Sequence, residues 1–220
     1  MRLIAGVLSY SVLVAALLLL AGCTRDRKTE PEDAKPGRPT QAPEKFRVRF
    51  DTSQGPFVIE AVREWAPRGA DRFYELASEG FFDETRFFRV VPGFVVQFGI
   101  HRDPKISGFW RQLQIADDPV TQSNTRGSVT FAKRGPNTRT TQIFINLANN
   151  SRLDATGFSP FGKVIDGIEI VDRFYGGYGD TPPRGGGPDQ KKIEEFGNAY
   201  LERGYSKLDY VKTAKVEAQQ

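Results

Sequence analysis

Apolar and polar residues alternate at the start of the region after position 45 and predict a β-hairpin. Residues 46–50 read Phe-Arg-Val-Arg-Phe, and after a turn at 51–55 the segment 57–62 is again rich in β-branched and aromatic residues. Such alternation is typical of strands that bury one face. By the same pattern we predict further strands at 86–91, 94–98, 127–131, 142–146, 161–165 and 209–216.

Helical periodicity is confined to a few segments. From Pro67, apolar residues recur at helical spacing until Glu79 and Gly80, which predicts one helix of about 12 residues covering the hairpin. We expect a short helix after Gly167 and a longer one from Asp189 to Arg203. Many short strands with few helices predict a mainly β fold: a closed eight-stranded antiparallel barrel capped by about two helices, with an extra helix inserted before the last strand.

The N-terminus has a different pattern. Residues 1–22 carry a basic residue at Arg2, continue as an apolar stretch and end in small residues, as export signals do. An uncleaved membrane anchor is the alternative, because about 18 apolar residues approach the minimum for a transmembrane helix. Leu20-Ala21-Gly22-Cys23 resembles the lipobox of bacterial lipoproteins, which implies acylation of Cys23, the only cysteine. The chain would then be exported and anchored to a bacterial membrane, facing the periplasm from the outer membrane in a Gram-negative cell.

Residues 24–45 are rich in charged residues and proline and hold almost no large apolar side chains. Such a segment buries too little surface to fold, and its prolines extend it. We therefore expect a signal peptide at 1–22, a lipidated and disordered tether at 23–45, and a folded domain at 46–217. Within that domain, the loop and helix at 176–207 form an insertion, for which a structural role is the simplest interpretation and a partner site the alternative.

Composition narrows the chemistry. The 31 basic and 27 acidic residues are interspersed and leave a net charge of +4, so we expect no nucleic-acid partner. With one cysteine and one histidine, the chain excludes disulfide frameworks, Cys/His zinc sites and redox pairs. A Ser-His-Asp triad would require His101, which we expect at the surface in a charged loop. No metal and no cofactor are predicted.

Three motifs then narrow the function. Residues 87–97 read Phe-Phe-Arg-Val-Val-Pro-Gly-Phe-Val-Val-Gln, and residues 131–145 read Phe-Ala-Lys-Arg-Gly-Pro-Asn-Thr-Arg-Thr-Thr-Gln-Ile-Phe-Ile. Leu153-Asp154 is followed by Phe-Gly-Lys-Val at 161–164. In this order, the motifs resemble those of cyclophilin-type peptidyl-prolyl cis-trans isomerases, and with their flanks the resemblance covers about residues 46–217. It implies a groove on the barrel exterior that binds proline-containing unfolded or flexible polypeptides and needs no cofactor.

The resemblance also implies residue roles. Arg89 and Gln97 are expected to be catalytic. The expected substrate-binding residues are Phe94, Val95, Ala132, Lys133, Gln142, Phe144, Leu153 and Phe158. The chemistry agrees with these residue types, because rotation about an X-Pro bond breaks no covalent bond and leaves the prolyl nitrogen pyramidal and basic. An arginine can donate a hydrogen bond to that nitrogen without titrating.

The sequence leaves the use of this groove open. The main hypothesis is a monomeric isomerase that assists protein folding in the cell envelope. The alternative is a chaperone or scaffold module that binds peptides in the same groove with little catalysis. A barrel lipoprotein that carries a lipophilic ligand fits the composition but not the motifs.

Overall fold

The computed structural model describes residues 41–218, which form eight strands and five α-helices. The strands are β1 (Lys45–Thr52), β2 (Gly55–Val62), β3 (Arg89–Val91), β4 (Val95–Phe98), β5 (Ser128–Phe131), β6 (Ile143–Asn146), β7 (Pro160–Asp166) and β8 (Val211–Val216). The helices are α1 (Pro67–Ser78), α2 (Pro104–Arg111), α3 (Ile168–Val171), α4 (Gln190–Phe196) and α5 (Asn198–Gly204), and Ser151–Thr156 form a 3₁₀ turn.

All strand pairs are antiparallel, and the strand order is β3-β4-β6-β5-β7-β2-β1-β8. The two ends of this sheet meet just before β3 and β8, where Arg86 and Tyr210 form an antiparallel bridge. The Phe87 N–H donates to the Asp209 carbonyl at 3.0 Å, and the Val211 N–H donates to the Thr85 carbonyl at 3.0 Å. The predicted mainly β fold of eight antiparallel strands is therefore confirmed.

Phenylalanine dominates the interior. Phe73 of α1 is fully buried, and its ring centroid lies 4.9 Å from that of Phe161, 5.7 Å from Phe82 and 6.0 Å from Phe46. Large aromatic surfaces buried in this way supply much of the hydrophobic stabilisation of a small domain. The predicted helix from Pro67 thus closes one side of the barrel with its apolar face.

The segment after β4 differs from the sequence prediction. It contains α2, which was not predicted, and its first turn is capped by the Asp103 side chain, which accepts a hydrogen bond from the Lys105 N–H at 2.8 Å. His101, expected at the surface, is buried. Its Nδ1 accepts a hydrogen bond from the Asp103 N–H at 2.9 Å, and its ring lies 5.2 Å from that of Phe81. The prediction was wrong because the charged neighbours suggested a solvated loop, whereas the ring packs against Phe81 and the Ser107 hydroxyl of α2 donates to the His101 carbonyl.

The insertion also differs in detail. The single helix predicted over 189–203 is two helices, α4 and α5, broken at Gly197, where φ is +59° and ψ is −150°. L-residues with a side chain rarely adopt this conformation, so glycine permits the sharp change of direction. The Asp189 side chain caps α4 by accepting from the Lys191 N–H at 2.8 Å.

The folded region begins slightly before the predicted boundary at 46. Ala42 is buried, its N–H donates to Asp71 Oδ1 at 2.9 Å, and β1 starts at Lys45. The predicted signal peptide, Cys23 and the tether up to residue 40 lie outside the described residues. Between residues 41 and 218, no helix combines the length and apolar character needed to cross a membrane.

Candidate active site

Strand alternation directs one row of side chains out of the barrel. Arg89 of β3 pairs with Gln97 of β4, which pairs in turn with Phe144 of β6, so the three side chains point to the same side. The neighbouring pair Val90 and Val96 points into the core. Three adjacent strands therefore present a cation, an amide and an aromatic ring in one line on the outer face.

A groove with a volume of about 930 Å³ runs along this face. It is lined by all ten residues that the sequence analysis assigned to the site. They are Arg89, Phe94, Val95, Gln97, Ala132, Lys133, Gln142, Phe144, Leu153 and Phe158. The structure thus brings residues from three separate motifs into one groove.

A chain of hydrogen bonds holds the polar floor of the groove. Nη1 of Arg89 donates to Gln97 Oε1 at 3.0 Å, and Gln97 Nε2 donates to Gln142 Oε1 at 2.9 Å. Gln142 Nε2 lies 3.5 Å from Glu194 Oε1 on α4. Because each amide is oriented by its neighbour, the guanidinium of Arg89 faces a defined set of dipoles along the groove floor.

Beside the guanidinium lies an apolar slot. Val95 and Phe144 are buried at its base, and the Phe158 ring meets the Phe144 ring edge-on at 5.7 Å. Phe94 forms the other wall, with the guanidinium carbon of Arg89 5.4 Å from its ring centroid. An apolar ring seated in the slot would therefore lie next to the N–H groups of Arg89.

Ala132 and Lys133 lie along the side of the groove, after β5. The Ala132 N–H donates to the Gln142 carbonyl at 2.9 Å, which extends the β5–β6 pairing by one residue. The Lys133 ammonium is neutralised by Asp117 at 2.9 Å and lies 5.5 Å from the Phe158 ring. Lys133 thus contributes its aliphatic chain and backbone to the groove more than a free charge.

Sequence reasoning missed the wall that the insertion builds. Thr181, Pro182, Pro183 and Arg184 line the groove, together with Glu194 of α4. Glu194 also pairs with Arg111 of α2 at 3.3 Å and with Arg134 at 3.5 Å. No local pattern marks these residues, because the packing direction of a Gly/Pro-rich loop depends on contacts distant in the chain.

The most direct insertion contact is Asp180. Its carboxylate oxygens accept hydrogen bonds from Arg89 Nε at 2.7 Å and Arg89 Nη2 at 3.2 Å. Burial by itself raises the pKa of the Asp180 carboxyl, but the hydrogen bonds and charge of Arg89 outweigh burial and hold the pKa below its ordinary value. Asp180 is therefore a carboxylate at neutral pH and a firm partner of the groove arginine.

Comparison with known proteins links the chain to one family. Residues 47–194 match the model of the family described as cyclophilin type peptidyl-prolyl cis-trans isomerase/CLD. The chain is 35% identical over 136 residues to peptidyl-prolyl cis-trans isomerase-like 1 of Rhizopus delemar, which covers 59% of this chain and 80% of that protein. It is 36% identical over 132 residues to peptidyl-prolyl cis-trans isomerase ppi1 of Schizosaccharomyces pombe, covering 57% of this chain and 83% of that one.

Solved structures show the same fold. A cyclophilin type peptidyl-prolyl cis-trans isomerase of Cryptosporidium parvum superposes with a TM-score of 0.58 at 21% identity, covering 80% of this chain and 99% of that one. The same protein in the presence of the dipeptide Ala-Pro gives a TM-score of 0.56. The family match over residues 47–194, supported by these relatives, shows that the chain belongs to the cyclophilin-type peptidyl-prolyl cis-trans isomerases.

Proposed function

We propose that Arg89 and Gln97 are the catalytic residues of this isomerase and that it acts on proline-containing segments of exported polypeptides. The observation that carries the proposal is the position of the Arg89 guanidinium, held by Gln97 at 3.0 Å beside an apolar slot. A proline ring in that slot places its nitrogen next to the guanidinium. The groove then offers a hydrogen-bond donor beside an apolar slot, the two features on which the proposed rotation depends.

The reaction needs a donor aimed at nitrogen. Rotation is opposed by a barrier of roughly 18–20 kcal/mol, because the nitrogen lone pair is delocalised into the carbonyl. In the twisted state the lone pair is localised on nitrogen and accepts a hydrogen bond that neither planar isomer can accept equally well. Arg89 remains protonated throughout, so no proton changes hands, and Gln97 accepts one of its hydrogen bonds from the groove floor.

The apolar slot holds one end of the substrate while the other turns. Phe94, Val95, Phe144, Leu153 and Phe158 line it, and burying a ring of proline's size there contributes on the order of 1.5–3 kcal/mol to binding. In this proposal Ala132, Lys133 and Gln142 contact the substrate backbone along the groove. Binding energy gained away from the rotating bond then orients that bond toward Arg89.

A protease-coupled isomerisation assay with a proline-containing peptide tests the catalytic role. Loss of one directed donor costs about 100-fold or more in comparable sites, so Arg89→Ala should lower kcat/KM by that order. Arg126→Ala is the matched control, because Arg126 pairs with Asp172 on the surface and does not line the groove. Equal activity of Arg89→Ala and wild type would reject the mechanism.

The proposed location rests on the lipobox-like Leu20-Ala21-Gly22-Cys23 and the polar segment after it. We propose that the acylated Cys23 anchors a monomeric isomerase domain to a bacterial membrane, the outer membrane in a Gram-negative cell. Labelling of the expressed full chain with a fatty acid should modify the wild type and not Cys23→Ser. Unlabelled wild-type protein in the soluble fraction would reject this part of the proposal.

The groove would also serve a peptide-binding chaperone with little catalysis. One observation favours that alternative: Asp180 and Gln97 already engage three N–H groups of Arg89. A guanidinium carries five, however, so two remain for a substrate. Measuring the isomerisation rate at saturating peptide separates the two functions.

A further inference from the structure

The Arg89 guanidinium is held mainly from the insertion. Asp180 binds it with both carboxylate oxygens, at Nε and Nη2, whereas the groove floor contributes the single bond from Nη1 to Gln97. Two parallel hydrogen bonds fix the plane of a guanidinium, whereas a single hydrogen bond lets the guanidinium rotate about it. Without Asp180, the guanidinium could therefore rotate about its contact with Gln97.

Asp180 is itself fixed by its loop. Its Oδ1 accepts a hydrogen bond from the Thr181 N–H at 2.7 Å, and its Oδ2 accepts from Arg184 Nε at 3.0 Å. The loop turns back so closely that the Gly187 N–H donates to the Asp180 carbonyl at 2.9 Å. A Cβ at Gly187 would lie 2.9 Å from that same oxygen, so the turn requires a residue without a side chain.

Tyrosine side chains of the insertion support this loop. The Tyr200 hydroxyl accepts a hydrogen bond from the Asp189 N–H at 3.2 Å, and the Tyr205 hydroxyl donates to the Gly187 carbonyl at 3.4 Å. The Tyr178 ring packs edge-on against Tyr205, with centroids 5.0 Å apart. The loop that carries the Asp180 carboxylate is therefore held in place by neighbouring side chains. A residue that positions another side chain needs such support.

A carboxylate beside Arg89 has two opposing effects. Its charge reduces the positive potential of the guanidinium, and its geometry fixes the direction of the remaining N–H groups. The twisted X-Pro bond develops a basic lone pair on a neutral nitrogen, so it gains more from a correctly aimed donor than from net positive charge. We therefore expect the directional effect to be the larger of the two.

We infer that Asp180 is a positioning residue for the isomerase, which orients Arg89 so that its free N–H groups face the prolyl nitrogen. This inference rests on the proposed catalytic role of Arg89. The insertion thereby becomes part of the catalytic apparatus in addition to forming a wall of the groove.

Asp180→Asn in the full chain is the principal test. The asparagine keeps the shape of the side chain but turns an amide donor toward a guanidinium donor, so one bond becomes a repulsive contact. We expect kcat to fall by about 10- to 100-fold with KM within about twofold of wild type. Asp180→Glu restores a carboxylate and should recover part of the loss.

Asp172→Asn provides a matched control. Asp172 also binds an arginine with both oxygens, accepting from Nη1 and Nη2 of Arg126 at 3.0 and 2.6 Å, but on an exposed surface outside the groove. Its removal should leave kcat and KM unchanged. Comparing the two variants therefore separates the general effect of losing a two-bond ion pair from the specific effect on Arg89.

NMR measures the contact between Asp180 and Arg89 without relying on activity. The Arg89 Nε–H, identified by its disappearance in Arg89→Lys, should exchange slowly with solvent in wild type and at least tenfold faster in Asp180→Asn. The same spectra show whether each variant is folded. If Asp180→Asn does not fold, Asp180→Glu carries the comparison of kcat and Nε–H exchange.

The outcomes separate this inference from the proposed function. In an Arg89→Ala background, Asp180→Asn should not lower the residual rate further, because coupled residues are not additive. A wild-type or higher kcat in Asp180→Asn, or an equal loss with and without Arg89, would overturn the positioning role alone. Full activity of the Arg89→Ala single variant would instead overturn the catalytic role of Arg89, and the positioning role with it.

Discussion

His101 is a buried histidine that takes no part in the proposed chemistry. Burial lowers the pKa of its imidazole below the ordinary value, so the ring is neutral at pH 7. Its Nδ1 is the acceptor for the Asp103 N–H at the start of α2. Protonation would place a charge beside Phe81 and abolish that acceptor, so the neutral ring is the one that stabilises this corner of the fold.

This arrangement predicts a specific pH dependence of stability. Because the folded-state pKa of His101 is lower than that in the unfolded chain, protonation favours unfolding. The free energy of unfolding should be constant above about pH 6.5 and decline below it, by at most about 1.4 kcal/mol per pH unit. Urea denaturation of wild type and His101→Gln between pH 8 and 5 measures the effect.

The glutamine variant keeps an acceptor but does not titrate, so its stability should vary less in this window. The pKa values of Asp117, Asp154 and Asp180 all lie below the ordinary carboxylate value, because hydrogen bonds to neighbouring groups outweigh the effect of burial. The stability that these three carboxylates contribute to the folded state is therefore lost only at more acidic pH, below about 4. Identical slopes for the two proteins between pH 6.5 and 5 would contradict the account of His101.

At the residue scale, the sequence was informative where a motif carried the family resemblance. Arg89, Gln97 and Phe144 could be assigned to one groove because of that resemblance, and the strand pairing places them side by side. Asp180 could not, because its partner is 91 positions away and the loop around it has no periodicity. His101 was misplaced for a related reason: polar neighbours indicate exposure only when no other element packs over them.

At the scale of elements, the break between α4 and α5 determines the position of the groove wall formed by α4. A Cβ at Gly197 would collide with the Arg102 carbonyl and would lie 3.0 Å from Pro104 Cδ. The positive φ of Gly197 adds conformational strain for any other residue. The glycine therefore lets α4 approach the N-terminal end of α2 and bring Glu194 to the groove.

Gly197→Ala should consequently destabilise the protein, by about 2 kcal/mol or more, because strain and a backbone collision add. Gly204→Ala is the matched control, since a Cβ there would enter open space. Urea unfolding should show a reduced midpoint for the first variant and a change within about 0.5 kcal/mol for the second. Equal midpoints for the two variants would show that the helix junction tolerates a side chain.

The elements themselves were predictable to different degrees. The strands and α1 followed from alternation and helical spacing, because their buried faces are extensive. Helix α2 was missed because Ser107 and Trp110 are its only buried residues and Gly108 lies at its centre. A helix held by one tryptophan and an aspartate cap leaves too weak a periodic signal to be recognised.

At the scale of the whole molecule, an aromatic interior supports the catalytic face. Phe73 contacts Phe46, Phe50, Phe82 and Phe161, and so joins α1 to β1, β7 and the segment before β3. Because these elements form one packed core, removing the Phe73 ring destabilises the entire barrel. The groove strands share that core and depend on it for their register.

Phe73→Ala should therefore lower the free energy of unfolding by about 3–5 kcal/mol, the usual effect of removing a buried phenylalanine. Phe196 provides the comparison, because its side chain on α4 is half exposed. Phe196→Ala should change stability by no more than about 0.5–1 kcal/mol. Thermal or urea unfolding distinguishes the two, and a small effect at Phe73 would contradict its central place in the core.

The proposed role of Arg89 is to accelerate rotation rather than merely to help the groove bind peptide. Two-dimensional NMR exchange spectroscopy of a proline-containing peptide, with small amounts of the full chain, measures the cis-trans rate directly. Wild type should give strong exchange cross-peaks. Arg89→Ala should give almost none at a peptide concentration that saturates the groove. Exchange at the wild-type rate in the variant, or bound peptide without exchange in the wild type, would contradict this role.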